Sequence, residues 1–213
     1  AARAFVEVAR VDVGFDAGDV ALVSIAAPRA ETSQQDFFVR TIQTLRTIPD
    51  VRSISAVGSL PFSRQAPDES AQLEGSDKRV AGIVHALPGY TETVGIPLKR
   101  GRTFTWDDLR SDPDVALVSE AAARVMFGDA DPLNGVFTNG RNRRLRVIGV
   151  VGDVRPSYSE PVRPQAYVIP GAAARGLYVV ARLRDHRAAA LADIKTALRS
   201  LNPGSIPTVE WWA

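Results

Sequence analysis

The side chains best suited to chemistry are few and scattered. His85 and His186 are the only two histidines, and the chain contains no cysteine. Thiolate chemistry, a disulfide framework and Cys-ligated zinc or iron–sulfur sites are therefore excluded. No H-x-H or H-E-x-x-H pattern brings the two imidazoles together, so a zinc site is not expected. Each histidine has a plainer reading, His186 as a solvated residue at a helix start and His85 as a lining or edge residue of a strand. A serine hydrolase needs a base beside its nucleophile, and Gly58-Ser59 lacks the G-x-S-x-G elbow. The run Gly149-Val150-Val151-Gly152-Asp153 could cradle a phosphate only if a helix began directly after it. Val154-Arg155-Pro156 follows instead, and no Lys-Ser or Lys-Thr completes a Walker motif. It reads as a tight strand-to-loop turn. Asp107-Asp108, Asp112-Pro113-Asp114 and Asp129-Ala130-Asp131 lack the Ca²⁺-loop pattern and read as caps and exposed loops. Arg141, Arg143, Arg144 and Arg146 carry no interleaved aromatics, so a solvated hairpin is expected rather than a nucleic-acid site. No catalytic, cofactor-binding or metal-ligating residue is assigned.

The elements that would have to position any site are clearer. Val20 to Ala27 reads as a buried strand. Thr32 or Ser33 is placed to cap a helix carrying Phe38, Ile42, Leu45 and Ile48 on one face, ended by Pro49-Asp50. Val51 to Val57 is a second strand, which completes a βαβ unit. The pattern returns at the other end of the chain. Leu177 to Leu183 is a strand, and Asp185 caps a helix with Leu191, Ile194, Leu198 and Leu201. Asn202-Pro203-Gly204 stops that helix before a last strand, Ile206 to Trp211. Leu45-Arg46-Thr47 resembles Leu198-Arg199-Ser200, as an internal repeat would. Two βαβ halves then form one split α/β sandwich, residues 1–59 and 176–213, interrupted by a strand-rich insertion, residues 60–175. Within the insertion, Ser63 to Ser76 reads as a loop or frayed hairpin. Arg79 to Leu87, Val115 to Val118, Leu145 to Val151 and Gln165 to Ile169 read as strands. Pro88-Gly89-Tyr90 opens a short helix closed by Gly95, and Ser119 caps another through Phe127. Ala1 to Arg10 reads as a short helix.

Composition narrows the class. With 45% hydrophobic and 23% charged residues the chain is of globular type. Lys+Arg number 26 and Asp+Glu 24, a net charge of +2, too small a bias for a nucleic-acid partner. No apolar run approaches the roughly 18 residues that span a bilayer. The chain opens Ala1-Ala2-Arg3 and ends at Trp211-Trp212-Ala213, as a piece of a longer protein would.

Several strings, in order, resemble the MacB-like periplasmic core domain of FtsX-type ABC permeases, in particular the duplicated orphan permease variety. They are Arg10-Val11-Asp12-Val13-Gly14-Phe15-Asp16; Leu45 to Val51; Ser59-Leu60-Pro61-Phe62; Pro88-Gly89-Tyr90; and Gly95-Ile96-Pro97-Leu98 with Gly101-Arg102-Thr103-Phe104. They continue with Val118 to Ala121, Asp131 to Gly135, Val147 to Arg155 and Pro164 to Val168. The chain departs from the family at Val125-Met126-Phe127-Gly128, where a longer aromatic run is common. These strings are mostly Gly, Pro and apolar residues, suited to fixing turns and φ angles rather than to catalysis. The resemblance implies an α+β fold of two lobes, one porter-like and one inserted and Sabre-like. It implies a non-enzymatic periplasmic domain between two membrane helices of a bacterial inner-membrane permease, transmitting conformational change and touching cargo or partners. The implied partners are the permease's own membrane helices, a second permease copy, an ATPase acting across the membrane and an adaptor protein, with no cofactor. A ligand- or peptide-binding sensor without transport is the alternative, and a hydrolase using His85 a third.

Overall fold

The computed structural model describes residues 12–28, 31, 33–63, 69–73, 79–171, 176–185 and 188–212. The helix expected at Ala1–Arg10, and both Thr32 and His186, lie outside them. The fold is α+β in two lobes, each built around its own sheet.

The first sheet has four strands in the order β11-β1-β10-β2, where β1 is Val20–Ser24, β2 Val51–Val57, β10 Tyr178–Leu183 and β11 Thr208–Trp211. Every neighbouring pair is antiparallel. The strand β10 separates β1 from β2, and β1 separates β10 from β11, so each βαβ unit is split by a strand of the other. Two helices cross between the strands, α1 (Gln34–Leu45) and α5 (Ala188–Leu201). Ser33 caps α1, its side chain accepting the Asp36 N–H. Arg46 is already the C-cap, so Ile48 sits beyond the helix and is only partly buried. The cap expected at Asp185 rests on residues 186–187, which lie outside the described residues; α5 is described from Ala188.

The strand faces alternate, but both faces are covered. Ala21, Val23, Ile54, Val179, Ala181 and Leu183 meet Phe38, Ile42, Leu45, Ile194 and Leu198 of the helices. Val20, Val57 and Val180 point the other way, into a core shared with the second lobe. Burial on both faces explains the unbroken apolar runs Val20-Ala21-Leu22-Val23 and Val179-Val180-Ala181.

The second sheet has seven strands in the order β5-β8-β6-β9-β4-β3-β7, and β7 also pairs with β8. These are β3 (Glu69–Leu73), β4 (Arg79–His85), β5 (Leu98–Gly101), β6 (Val115–Ser119), β7 (Val136–Asn139), β8 (Arg144–Val151) and β9 (Gln165–Val168). Six strands thus pair in a closed circuit, with β5 added outside on β8. A short helix, α4 (Glu120–Phe127), packs Ala122 and Met126 against Ile83, Val118, Phe137 and Leu145. Two further helices are α2 (Tyr90–Thr93) and α3 (Trp106–Ser111). The stretch Ser63 to Ser76, expected as a loop or frayed hairpin, contains β3, paired on both edges. Its sequence, Glu-Ser-Ala-Gln-Leu, has one fully buried residue, Ala71, and no β-branched side chain to mark a strand.

Leu45 and Leu198 are fully buried between the helices and the four-stranded sheet. Leu45→Ala or Leu198→Ala should each lower unfolding free energy by about 2–5 kcal/mol in urea titrations.

Candidate functional site at the seam between the lobes

The lobes are joined by backbone as well as by side chains. Beyond β4 the chain runs against the end of β2, with Val57 bridging Ala86. Gly58 N donates to His85 O at 2.7 Å, and Leu87 N donates to Ala56 O at 2.9 Å. The buried Ser55 hydroxyl lies within hydrogen-bonding reach of the Leu87 and Pro88 carbonyls, at 2.9 and 3.1 Å. The two sheets therefore share a short hydrogen-bonded junction. Although α2 falls within residues 60–175, it packs on β2 and β10 of the four-stranded sheet.

One arginine closes the other side of this junction. Arg182 stands on β10 in alternation with Tyr178 and Val180, on the face turned to the second lobe. Its side chain is 14% exposed, so its donors must find acceptors inside the protein. Nε donates to Thr93 O at 2.9 Å, Nη1 to Gly18 O at 2.7 Å and Asp16 Oδ2 at 3.1 Å, and Nη2 to Asp16 O at 2.7 Å. Asp16 N in turn donates to Val94 O at 2.8 Å. A planar five-donor guanidinium can serve α2 and the 16–18 turn at once, where a lysine could not.

The segment before β1 is held as closely. Gly14 has φ +82° and faces the Asp153 carbonyl so tightly that a Cβ would lie inside van der Waals contact with it. Arg155 N donates to Val13 O at 3.0 Å. Phe15 packs on Trp212 with ring centroids 5.0 Å apart and on Phe62 at 5.7 Å; Phe62 meets Tyr158 at 4.7 Å.

Beside the seam opens a cleft of about 480 Å³. Leu60, Phe62, Val84, Pro156, Tyr90 and Tyr167 form much of its wall. The Tyr167 hydroxyl donates to Gln165 Oε1 at 3.0 Å. Burial, then the charge of Asp153, raises the Tyr167 pKa; burial, then Tyr167, raises that of Tyr90. Both phenols are therefore neutral hydrogen-bonding groups at ordinary pH.

The residues weighed for chemistry do not meet there. His85 lies on β4 with Nε2 3.5 Å from Glu69 Oε2. Gly149 and Gly152 permit close packing. A Cβ on Gly149 would strike the Arg102 carbonyl, and one on Gly152 would come within 2.9 Å of Pro97 Cγ. Asp153 supplies the anion at the N-terminus of α4, accepting from Ala121 N at 2.7 Å. The acidic loops and the arginine hairpin answer one another, with Arg143 paired to Asp114 and Arg146 to Asp112 at 2.6 Å; Asp131 pairs instead with Arg100 of β5 at 2.9 Å. Of the two expected roles, cap and exposed loop, Asp108 takes the cap. It is buried, forms a capping box with Thr105 at the start of α3 and binds Arg102 through both oxygens, at 2.6 and 2.8 Å. Among the described residues no group of three His, Asp or Glu side chains is arranged to hold a metal ion. Arg182 was missed in the sequence, although a charged residue in the 178-180-182 alternation of an apolar strand was a readable signal.

The seam is built largely from the ordered strings found in the sequence, and comparison with known proteins agrees. The family model of the MacB-like periplasmic core domain matches residues 4–198. The chain belongs to this family. The family is that of the extracytoplasmic part of ABC-type permeases. Two curated relatives are macrolide export ATP-binding/permease proteins MacB. The one from Aggregatibacter actinomycetemcomitans is 38% identical over 64 residues, and the one from Mannheimia succiniciproducens 33% over 64 residues. Each match covers 30% of this chain and only 10% of the relative. Among solved structures, the periplasmic region of MacB from Actinobacillus actinomycetemcomitans superposes with TM-score 0.65 at 18% identity, covering 96% of this chain and 93% of that one. The extracellular domain of the noncanonic ABC-type transporter YknZ from Gram-positive bacteria gives 0.61 at 19% identity, covering 89% and 99%. These two share the MacB-like fold. Among the described residues no helix is long and apolar enough to cross a membrane.

Substitutions at three residues test this geometry by chemical denaturation. Arg182→Ala should cost about 3 kcal/mol, and Arg182→Lys should recover less than half of it. Gly14→Ala should cost roughly 2 kcal/mol or more, because it adds both a left-handed strain and a backbone clash. The Arg102 hydrogen bond, with further bonds from Thr105, lowers the Asp108 pKa from 3.8 to about 2 against the opposing effect of burial. A depressed carboxyl contributes stability that is complete above about pH 4 and is lost as pH falls through about 2. Asp108→Asn should flatten the stability profile across that window.

Proposed function

We propose that the chain is the non-enzymatic extracytoplasmic domain of an export-type ABC permease, and that it carries movement from flanking membrane helices to a surface that meets cargo or partner proteins. In this reading residues 1–59 and 176–213 are the porter-like lobe, and residues 60–175 are the inserted Sabre-like lobe. The permease's own membrane helices, an ATPase acting across the membrane, a second permease copy and an adaptor are the partners.

The observation that carries the reading is where the first strand begins and the last one finishes. Trp212 N donates to Val20 O at 2.8 Å, and Phe15 lies against Trp212. The chain therefore enters and leaves the four-stranded sheet at one place, as a domain inserted between two membrane helices must. Displacement applied there passes into β1 and β11, which are neighbours in the sheet. From β10 it reaches the second lobe through Arg182 and the β2–β4 junction. The macrolide export named for the MacB relatives supports an export role for the parent protein of this chain.

The absence of cysteine in the chain makes location testable. Ile206 is 92% exposed. With Ile206→Cys in the full-length protein, and any cysteines outside this chain replaced, a membrane-impermeant maleimide should label intact spheroplasts. Labelling only after lysis would overturn the extracytoplasmic reading. Transmission is tested by a disulfide across the junction, Gly58→Cys with His85→Cys, where the Cβ positions lie 3.3 Å apart. Oxidation should leave nucleotide-dependent movement of the domain intact. Its loss on oxidation and return on reduction would show that the lobes must slide past each other.

A further inference from the structure

The cleft beside the seam has three features that bear on ligand binding. Its volume, about 480 Å³, falls in the range of small-molecule sites. Tyr90 lines it, and its hydroxyl makes no hydrogen bond to any described residue; that oxygen is not among the buried polar atoms left without a partner, so it opens to the cleft. A phenol on the wall of an open cleft keeps its O–H free to donate to whatever occupies the cleft. The charges of the lining do not cancel either. Arg163 pairs with Glu160, which neutralises both. Arg155 donates from Nη1 to the Glu160 carbonyl at 3.2 Å, and no carboxylate pairs with it among the described residues. The charged side chains of the wall thus sum to one positive charge, on a guanidinium with free donors.

We propose that this cleft binds a small monoanionic amphiphile, its apolar body against Leu60, Phe62 and Val84, its anionic group on Arg155, and Tyr90 donating a further hydrogen bond. The apolar walls supply affinity without direction, while Arg155 and Tyr90 select for one anionic, hydrogen-bond-accepting group. Tyr90 can donate because burial keeps its phenol protonated. The site lies on residues 59–167, beside the junction with the four-stranded sheet. Leu60 and Phe62 follow β2, Val84 belongs to β4, and Phe62 packs on Phe15, which also touches Trp212. The proposed site stands independently of the permease reading and requires only the folded chain.

Two dyes with the same ring system provide the test. 8-Anilinonaphthalene-1-sulfonate carries one sulfonate, and N-phenyl-1-naphthylamine is its uncharged counterpart. Titrated into the folded chain, the sulfonate dye should bind saturably at one site, and more tightly than the neutral dye. Arg155→Gln should weaken the sulfonate dye about tenfold and leave the neutral dye unchanged. Tyr90→Phe, which keeps the ring, should weaken the sulfonate dye about threefold or more. Ile206→Ser, outside the cleft, should change neither. Dodecanoate should displace the sulfonate dye. Thermal denaturation of each variant establishes that it is folded. Non-saturating binding, equal affinity for the two dyes, or a sulfonate affinity unmoved by Arg155→Gln in a folded variant would each overturn the proposal.

Discussion

A guanidinium on the inward face of a strand cannot be left without acceptors, and in this fold that requirement falls on Arg182. Its neighbours in alternation, Tyr178 and Val180, face the core between the lobes. The cation there is stable only because the turn at Asp16–Gly18 and the Thr93 carbonyl converge on it. Once they do, the path into β1 is set, and so is the position of α2 over β2 and β10. The strand β4 then meets β2 through Val57 and Ala86. The four-stranded sheet, the entry segment and the closed circuit of the second lobe are held in one arrangement by these few polar contacts over an apolar seam.

The ordered strings that mark the family take on physical meaning in this arrangement. Val13-Gly14-Phe15-Asp16 supplies a glycine where only a hydrogen fits, a ring for Trp212 and a carboxylate for Arg182. Gly149-Val150-Val151-Gly152-Asp153 lets β8 pass close to Arg102 and Pro97, then places Asp153 at the start of α4. Both strings serve packing and capping, and both converge where the lobes meet. Backbone ladders and a chelated guanidinium resist local sliding better than side-chain packing alone, which is what the proposed transmission of displacement would require.

Much of the four-stranded lobe was legible in the sequence. Its helices show one apolar face each, its strands are continuous Val- and Ala-rich runs, and Val51–Val57 was read to the residue. The second lobe was legible in part. The strands β6, β8 and β9 are apolar, whereas β3, β5 and β7 are short and polar and owe their conformation to their neighbours. The acidic pair Asp107-Asp108 was read as cap or exposed loop, and the capping box of Thr105 and Asp108 makes it a cap, though α3 itself was not read as a helix. The pairing of Arg143 and Arg146 with Asp114 and Asp112 joins positions about thirty residues apart, which no local pattern reports. The cleft was illegible for the same reason: its wall is drawn from segments near Ser59, Gly82, Tyr90, Val154 and Gln165 that only the fold brings together.

The central claim is that the seam makes the two lobes one cooperative unit. Differential scanning calorimetry of the chain, with hydrogen exchange monitored in β10 and β8 through the same transition, tests it most directly. The account predicts a single transition whose calorimetric and van't Hoff enthalpies agree, with both strands losing protection together. Two separable transitions, with β8 losing protection while β10 remains protected or the reverse, would contradict it.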